Sequence, residues 1–369
     1  MRIIPAGTAQ RIYPADSDLL PQMPSVEFSF MMTTVDSGQE SVEELRHRTQ
    51  SGDAVAMTLL GTRLLTGRDA PFEPIEGTAL ISSAVARGDA QAMSVMATLA
   101  GAGAWRAQSW PDALNLLQQA AAGGAEDARA QLVMLAGDHA LADRVRQGAS
   151  SADVWGRLRE SVDLEKWIVP KEATQVWDWP KIWTAEKFAT PEICSWLIGR
   201  GLGKFTPSMM FDGQKSVFLA TRNCSDFSFS VVEGGVVMLL LRVRLSLLTG
   251  LKVEQMEPPQ IFHYSLGQEI KPHYDSLYDG EHPYGKEGAY QGDRLATFLM
   301  YLNDDYDGGG LEFVKVGYKF KGRTGDGIFF ASMRDGKPDS KSLHGAGPVT
   351  RGEKFILSQW IHDRRFEAS

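Results

Sequence analysis

The sequence predicts an α+β chain: an all-α helical-repeat domain, then a double-stranded β-helix (a jelly roll) backed by helices. This rests on three observations. Gly52, Gly88 and Gly124 recur at one phase, a period of 36 residues. After Gly250 the hydrophobic period changes from that of helices to the alternation of strands. Gly, Asp and Asn then break the alternating stretches into short segments, as antiparallel sheets require. On this reading residues 1–41 are an N-terminal extension, 42–163 the repeat domain and 164–369 the β-rich domain.

Residues 1–40 show no sustained periodicity, although 26–35 have the composition of a strand. From Val42 the pattern is helical. Gly52-Asp53-Ala54 returns as Gly88-Asp89-Ala90, and Ala56, Ala92 and Ala128 share a second phase. Each copy opens with an Ala-rich helix, passes through a variable loop and continues into a second helix (77–87, 112–122). Small residues at matched positions let paired helices approach closely, and a period in the thirties is that of helix–turn–helix solenoids. This stretch, 42–137, resembles the Sel1-like branch of the tetratricopeptide repeats. The resemblance implies protein binding or self-association, or simply a brace for the neighbouring domain. The plainer alternative is one Ala- and Gly-rich helical bundle.

Further helices are expected over 144–147 and 153–162. Trp167, Trp177, Trp179 and Trp183, interspersed with Pro170 and Pro180, read as an irregular, firmly packed connector. Thr190-Pro191-Glu192 is a helix start, with a capping hydroxyl, a proline in the first turn and an acid at the positive end of the dipole. A second apolar helix runs from about Glu233 to Leu248 and stops before Gly250. Strands are expected over 260–266, 270–275, 296–302, 311–313, 327–330, 341–344 and 354–362.

The chain has 369 residues, 43% hydrophobic and 23% charged, with a net charge of −8. That balance belongs to a globular protein and argues against a nucleic-acid surface or a polybasic membrane anchor. Cys194 and Cys224 are the two cysteines, with no CxxC pair, which disfavours a disulfide scaffold or a Cys-based zinc site. Prolines and aspartates interrupt residues 1–23 where a signal peptide needs an apolar core, and no stretch approaches about 18 apolar residues. A cytoplasmic protein is expected, with no nucleic-acid or membrane partner.

His273 and Asp275 stand two apart, so one strand would carry both on one face. With His344 from a distant strand they make two imidazoles and one carboxylate, the facial set of non-haem Fe(II) oxygenases. In the last strand, Lys354, Ile356, Ser358, Trp360 and His362 share the face opposite to Phe355, Leu357, Gln359 and Ile361. An inward Lys354 needs an anion, and the sequence offers no evident buried acid opposite it. A carboxylate-bearing cosubstrate would serve.

Tyr264, Gly267-Gln268, His273-Tyr274-Asp275, Arg294, Thr297, Tyr301-Leu302-Asn303-Asp304, Gly308-Gly309, His344, Lys354 and Trp360-Ile361-His362 together resemble the prolyl 4-hydroxylase type of Fe(II)/2-oxoglutarate dioxygenases. The resemblance covers about 165–366 and includes the spacings of nine residues from Tyr264 to His273 and ten from His344 to Lys354. It implies that His273, Asp275 and His344 hold Fe(II), and that 2-oxoglutarate and dioxygen are cosubstrates, with ascorbate a candidate auxiliary reductant. It implies that Lys354 pairs with the far carboxylate of 2-oxoglutarate, that Tyr264 hydrogen-bonds to it, and that Trp360 lines the iron pocket. It implies substrate contacts for Arg294 and His362, and favours a proline-containing protein or peptide as substrate.

The sequence departs from the family pattern at Ile270, where a second tyrosine is usual, and at Gly310-Leu311, where Glu-Thr is usual. The second change removes a hydroxyl near the cosubstrate carboxylate, for which Thr297 is the expected replacement. Arg294 and Thr297 have opposite parity on a regular strand, so at most one would face inward. Residues 276–293, with Tyr278, Tyr290 and four glycines, have the composition of a lid over a substrate site. Two other readings stand beside protein prolyl hydroxylation. One is a hydroxylase of a free amino acid or small metabolite; the other is a repeat-based adaptor with an inactive oxygenase fold.

Overall fold

The computed structural model describes residues 40–149, 151–170, 172–208, 223–276 and 292–366, with the backbone of Met210–Phe211 and Ser216–Val217. The strand expected over 26–35 lies outside the described residues. The chain forms two compact units. Among the described residues one holds 40–169 and 230–244, and the other 170–229 and 245–366. The division falls inside the helix Gly235–Thr249.

In the helical unit the 36-residue period is a capping pattern. Gly52, Gly88 and Gly124 all adopt positive φ (89°, 83° and 100°), the left-handed conformation that glycine enters without steric cost. The next residue then caps a new helix. Asp53 accepts from the N–H of Val55 and Ala56 at the head of Ala54–Thr66, and Asp89 from Ala92 at the head of Ala90–Ala102. In the third copy Ala125 takes this place before Glu126–Leu135, and no side chain caps that helix. The second helices are Pro74–Ala86 and Trp110–Ala122, each with proline in its first turn. Gly61 and Gly77 let the first pair close tightly: a Cβ on either would come within about 3 Å of the other's carbonyl oxygen. Thr58 donates to Asp89 at 2.9 Å, linking one copy to the next. Segment 230–244 completes this unit. Gln131, fully buried, accepts from the Val237 N–H, and Leu239 packs against Gly101.

The other unit is built on two antiparallel sheets. The larger has eight strands in the order Thr174–Trp177, Ile182–Ala185, Gly327–Ala331, Arg294–Tyr301, Lys354–His362, Gln260–Tyr264, Ser225–Ser228 and Thr206–Pro207. The smaller has four, in the order Tyr318–Phe320, Leu311–Phe313, His344–Ala346 and Ile270–His273. Strands adjacent in space but distant in sequence are the mark of a jelly roll. Thr190 caps the helix Pro191–Gly201 through the Ile193 N–H, as its sequence predicts.

Two expectations are corrected. The Trp- and Pro-rich connector is a hairpin, Thr174–Trp177 with Ile182–Ala185, and it extends the large sheet beside Gly327–Ala331. Trp183, buried in that strand, meets Phe329 with ring centroids 5.7 Å apart. Residues 341–344 are not a strand. Asp339 starts a 3-10 turn, Ser340–Ser342, and pairing begins only at His344.

Candidate active site

A pocket of about 440 Å³, the open solvent at its mouth included, lies between the two sheets. The strand Lys354–His362 gives it Lys354, Ile356, Ser358 and Trp360, every second residue, while Phe355 stacks on His263 on the reverse face. The small sheet gives Ile270, His273, Leu311, His344 and Ala346.

His273 ends its strand and faces His344 across the ladder, the two being register partners. Asp275 lies two residues past the strand end and turns inward, 95% buried. Its two carboxylate oxygens sit 3.5 Å from His273 Nε2 and 3.5 Å from His344 Nε2. The three ligand atoms all fall within 4.8 Å of one another. Each imidazole is oriented in the same way: Nδ1 lies 3.0 Å from the Lys271 carbonyl and 2.9 Å from the Ser342 carbonyl, respectively. A carbonyl can only accept, so each Nδ1 carries the proton and each Nε2 presents its lone pair to the centre. Three acceptor groups converging without a donor repel one another unless a cation lies between them, so the donor set fits a metal ion. Burial opposes ionisation of Asp275, but neighbouring positive charge, that of His344 and His273 when protonated and of Arg294, more than compensates and holds its carboxyl well below the usual range.

Thr297 donates to Asp275 Oδ2 at 2.6 Å. This corrects its expected role: the hydroxyl orients a candidate metal ligand and its proton is spent there, so it does not replace the one missing at Leu311. Ile270 and Leu311 both line the pocket, making its wall apolar at the two positions where the sequence departs from the family pattern.

Lys354 is 97% buried. Its Nζ donates to the Gly309 carbonyl at 2.7 Å and lies 5.0 Å from the ring centre of Tyr264, its register partner. Gly309 has a φ of 60°, and a Cβ there would meet the lysine stem at 3.1 Å. Among the described residues no carboxylate pairs with this ammonium, and burial pushes its pKa down to about 7. A buried cation that, among the described residues, meets a carbonyl and aromatic rings but no counter-charge fits an anionic ligand.

Arg294 and His362 are not free to greet a substrate here. Both bond Glu257, which is 93% buried: Arg294 through two bonds of 2.6 and 3.0 Å, His362 Nε2 through one of 2.6 Å. Burial raises the Glu257 carboxyl, but Arg294 and His362 outweigh it and push it down to about 2. The guanidinium also lies 3.9 Å over the ring of Trp360. The parity conflict between Arg294 and Thr297 is resolved by a bulge. Ile361 pairs with Ala296 but His362 with Arg294, so Leu295 is the extra residue. Glu257 went unremarked in the sequence because an acid ahead of Pro258-Pro259 carries no signal that it will be buried. Tyr278, Tyr290 and the lid expected over 276–293 lie, apart from its ends, outside the described residues.

A family model for the 2OG-Fe(II) oxygenase superfamily matches residues 259–362, which hold all three candidate metal ligands, Lys354 and Trp360. Probable prolyl 4-hydroxylase 7 of Arabidopsis thaliana is 32% identical over 219 residues, 54% of this chain and 67% of the relative. Probable prolyl 4-hydroxylase 6 of the same plant is 32% identical over 221 residues, 54% of this chain and 75% of the relative. A viral collagen prolyl hydroxylase from Paramecium Bursaria Chlorella virus-1, solved as a 2OG complex, is 25% identical and covers 49% of this chain and 94% of its own, with a TM-score of 0.39. The class is therefore that of the 2OG-Fe(II) oxygenases. Within it, the chain belongs to the prolyl 4-hydroxylase family, whose members are dioxygenases.

Proposed function

We propose that this protein hydroxylates prolyl residues of a polypeptide, with Fe(II) held by His273, Asp275 and His344 and 2-oxoglutarate anchored by Lys354. The observation that carries this reading is the meeting, in one pocket, of a three-ligand donor set and a buried lysine that pairs with no carboxylate among the described residues. When bound, iron, 2-oxoglutarate and dioxygen supply the oxidising step, coupled to formation of succinate and CO2, with ascorbate as an auxiliary reductant. The chain's own residues position and shield. Thr297 holds Asp275, the Lys271 and Ser342 carbonyls fix the imidazoles, and Phe262, Leu299 and Ile356 keep the pocket wall dry. The names of the relatives support proline as the target, and the paired helices of 54–122 suit recruitment of that polypeptide or of a second copy. Cys194 and Cys224, both buried and outside any disulfide, suit a reducing, cytoplasmic setting.

Anaerobic titration of the full chain with Fe(II) and 2-oxoglutarate tests the site through the visible charge-transfer band between them. The expected result is a band in the wild type that His273→Ala abolishes; no band removes the proposal. Succinate release in air then tests the substrate, with a proline-rich peptide expected to stimulate it and free proline not. The engagement of Arg294 and His362 by Glu257 favours a second reading, a free amino acid or small metabolite as substrate. Stimulation by free proline alone would support that reading instead.

A further inference from the structure

Ser358 is fully buried, lines the pocket, and its hydroxyl has no hydrogen-bond partner among the described residues. Buried hydroxyls are almost always paired, because one left without a partner loses its hydration and gains nothing in return. Alanine would fill the same space at no such cost. The unmet donor points to an acceptor that arrives with a ligand.

Its place on the strand says which part of the ligand. Ser358 follows Lys354 by four residues, about 13 Å along the strand, on the same pocket-facing row. It precedes Trp360 by two, and Trp360 is paired with Thr297, the residue that holds Asp275. Ser358 therefore lies towards the metal end of the pocket. Its register partners are Leu299, which offers no side-chain acceptor, and Gln260, whose amide does not bond the hydroxyl.

We infer that Ser358 donates a hydrogen bond to the 2-oxo-acid end of the cosubstrate, while Lys354 holds the opposite carboxylate. This rests on the function proposed above and adds a second polar anchor in a pocket that Ile270 and Leu311 have made apolar.

The test is anaerobic titration of the full-length, Fe(II)-loaded protein with 2-oxoglutarate, comparing wild type, Ser358→Ala and Lys354→Ala. Ser358→Ala is expected to weaken 2-oxoglutarate binding about tenfold and to move the charge-transfer band, because its contact is with the chelating end. Lys354→Ala is expected to weaken binding and leave the band where it is. Fe(II) affinity should be the same in Ser358→Ala as in the wild type and the ligand-free thermal midpoint no lower, since the lost hydroxyl bonds nothing among the described residues. Unchanged cosubstrate affinity in Ser358→Ala overturns the inference. So does weakened affinity with an unmoved band, which would put the hydroxyl elsewhere. A wild type with no band at all instead overturns the parent proposal, so the two failures are distinguishable.

Discussion

At the scale of single residues, the site is governed by two buried charges with opposite arrangements. Lys354 has a carbonyl and, among the described residues, no carboxylate, and its pKa falls to about 7. The unfolded chain binds more protons than the folded one between about pH 7 and the ordinary lysine value, so without ligand this residue makes stability rise with pH across that window. Binding a carboxylate at Nζ reverses the preference, because the complex needs the charged form. The Kd for 2-oxoglutarate should therefore be flat below about pH 7 and rise by up to about tenfold per pH unit above it. Calorimetry in buffers of different ionisation enthalpy would detect the accompanying proton uptake, and a pH-independent Kd with no proton taken up would contradict the assignment. Glu257 is the reverse case, a buried carboxylate saturated by Arg294 and His362. Its folded pKa of about 2 lies below its ordinary value of 4.5, so its stabilisation is complete above the latter and is lost as pH falls towards 2. Glu257→Gln leaves a guanidinium buried without its counter-charge and should cost about 3–5 kcal/mol in urea unfolding. Adding Arg294→Met to it should cost less than the two single changes summed.

At the scale of elements, the repeats offer a cleaner experiment than the sheets. Residues 53, 89 and 125 share one backbone conformation (φ −68°, −69°, −66°; ψ 108°, 117°, 107°), yet only the first two bear a capping carboxylate. Ala125→Asp should therefore stabilise the protein by about 1 kcal/mol, while Asp89→Ala should destabilise it by about 1–2 kcal/mol, both read by chemical denaturation. The period itself was legible because a left-handed glycine followed by a cap is a local, sequence-encoded device. The strands 311–313 and 354–362 were legible for a similar reason: alternation and turn residues are local, and their limits agree with those read from sequence. The hairpin over 174–185 was not, since Trp and Pro clusters carry no alternation and the pairing of Ile182–Ala185 with Gly327–Ala331 is a contact across more than a hundred residues. The same limit hid the bulge at Leu295 and the burial of Glu257. His273, Asp275, His344 and Lys354 stand out in the sequence because their spacing is fixed by the strands that carry them, and all four line one pocket. What each polar neighbour bonds is set by tertiary approach, which is why Thr297 was expected at the wrong partner.

At the scale of the whole molecule, the sequence suggests that a cut after residue 163 separates helices from sheets, and the packing makes that cut consequential. Segment 230–244 lies in the C-terminal half of the chain but belongs to the helical unit, where Val237 bonds Gln131 and Leu239 covers Gly101. Val236, Val237, Met238, Leu239, Leu240 and Leu241 are consecutive and each at least 97% buried. A helix apolar on every side is stable only when enclosed. A fragment of residues 164–369 would keep the metal ligands and Lys354 but expose part of this helix to water. At about 25 cal/mol per Å² of apolar surface, uncovering even a few such side chains costs several kcal/mol, a large share of what holds a domain folded. The fragment should therefore aggregate, or melt well below the full chain, and co-expression with residues 40–163 should restore soluble protein that elutes as a complex in size-exclusion chromatography. A soluble 164–369 fragment with the thermal midpoint and cosubstrate affinity of the full chain would show that the 230–244 segment needs no cover, and that the helical repeats are needed neither for folding nor for cosubstrate binding.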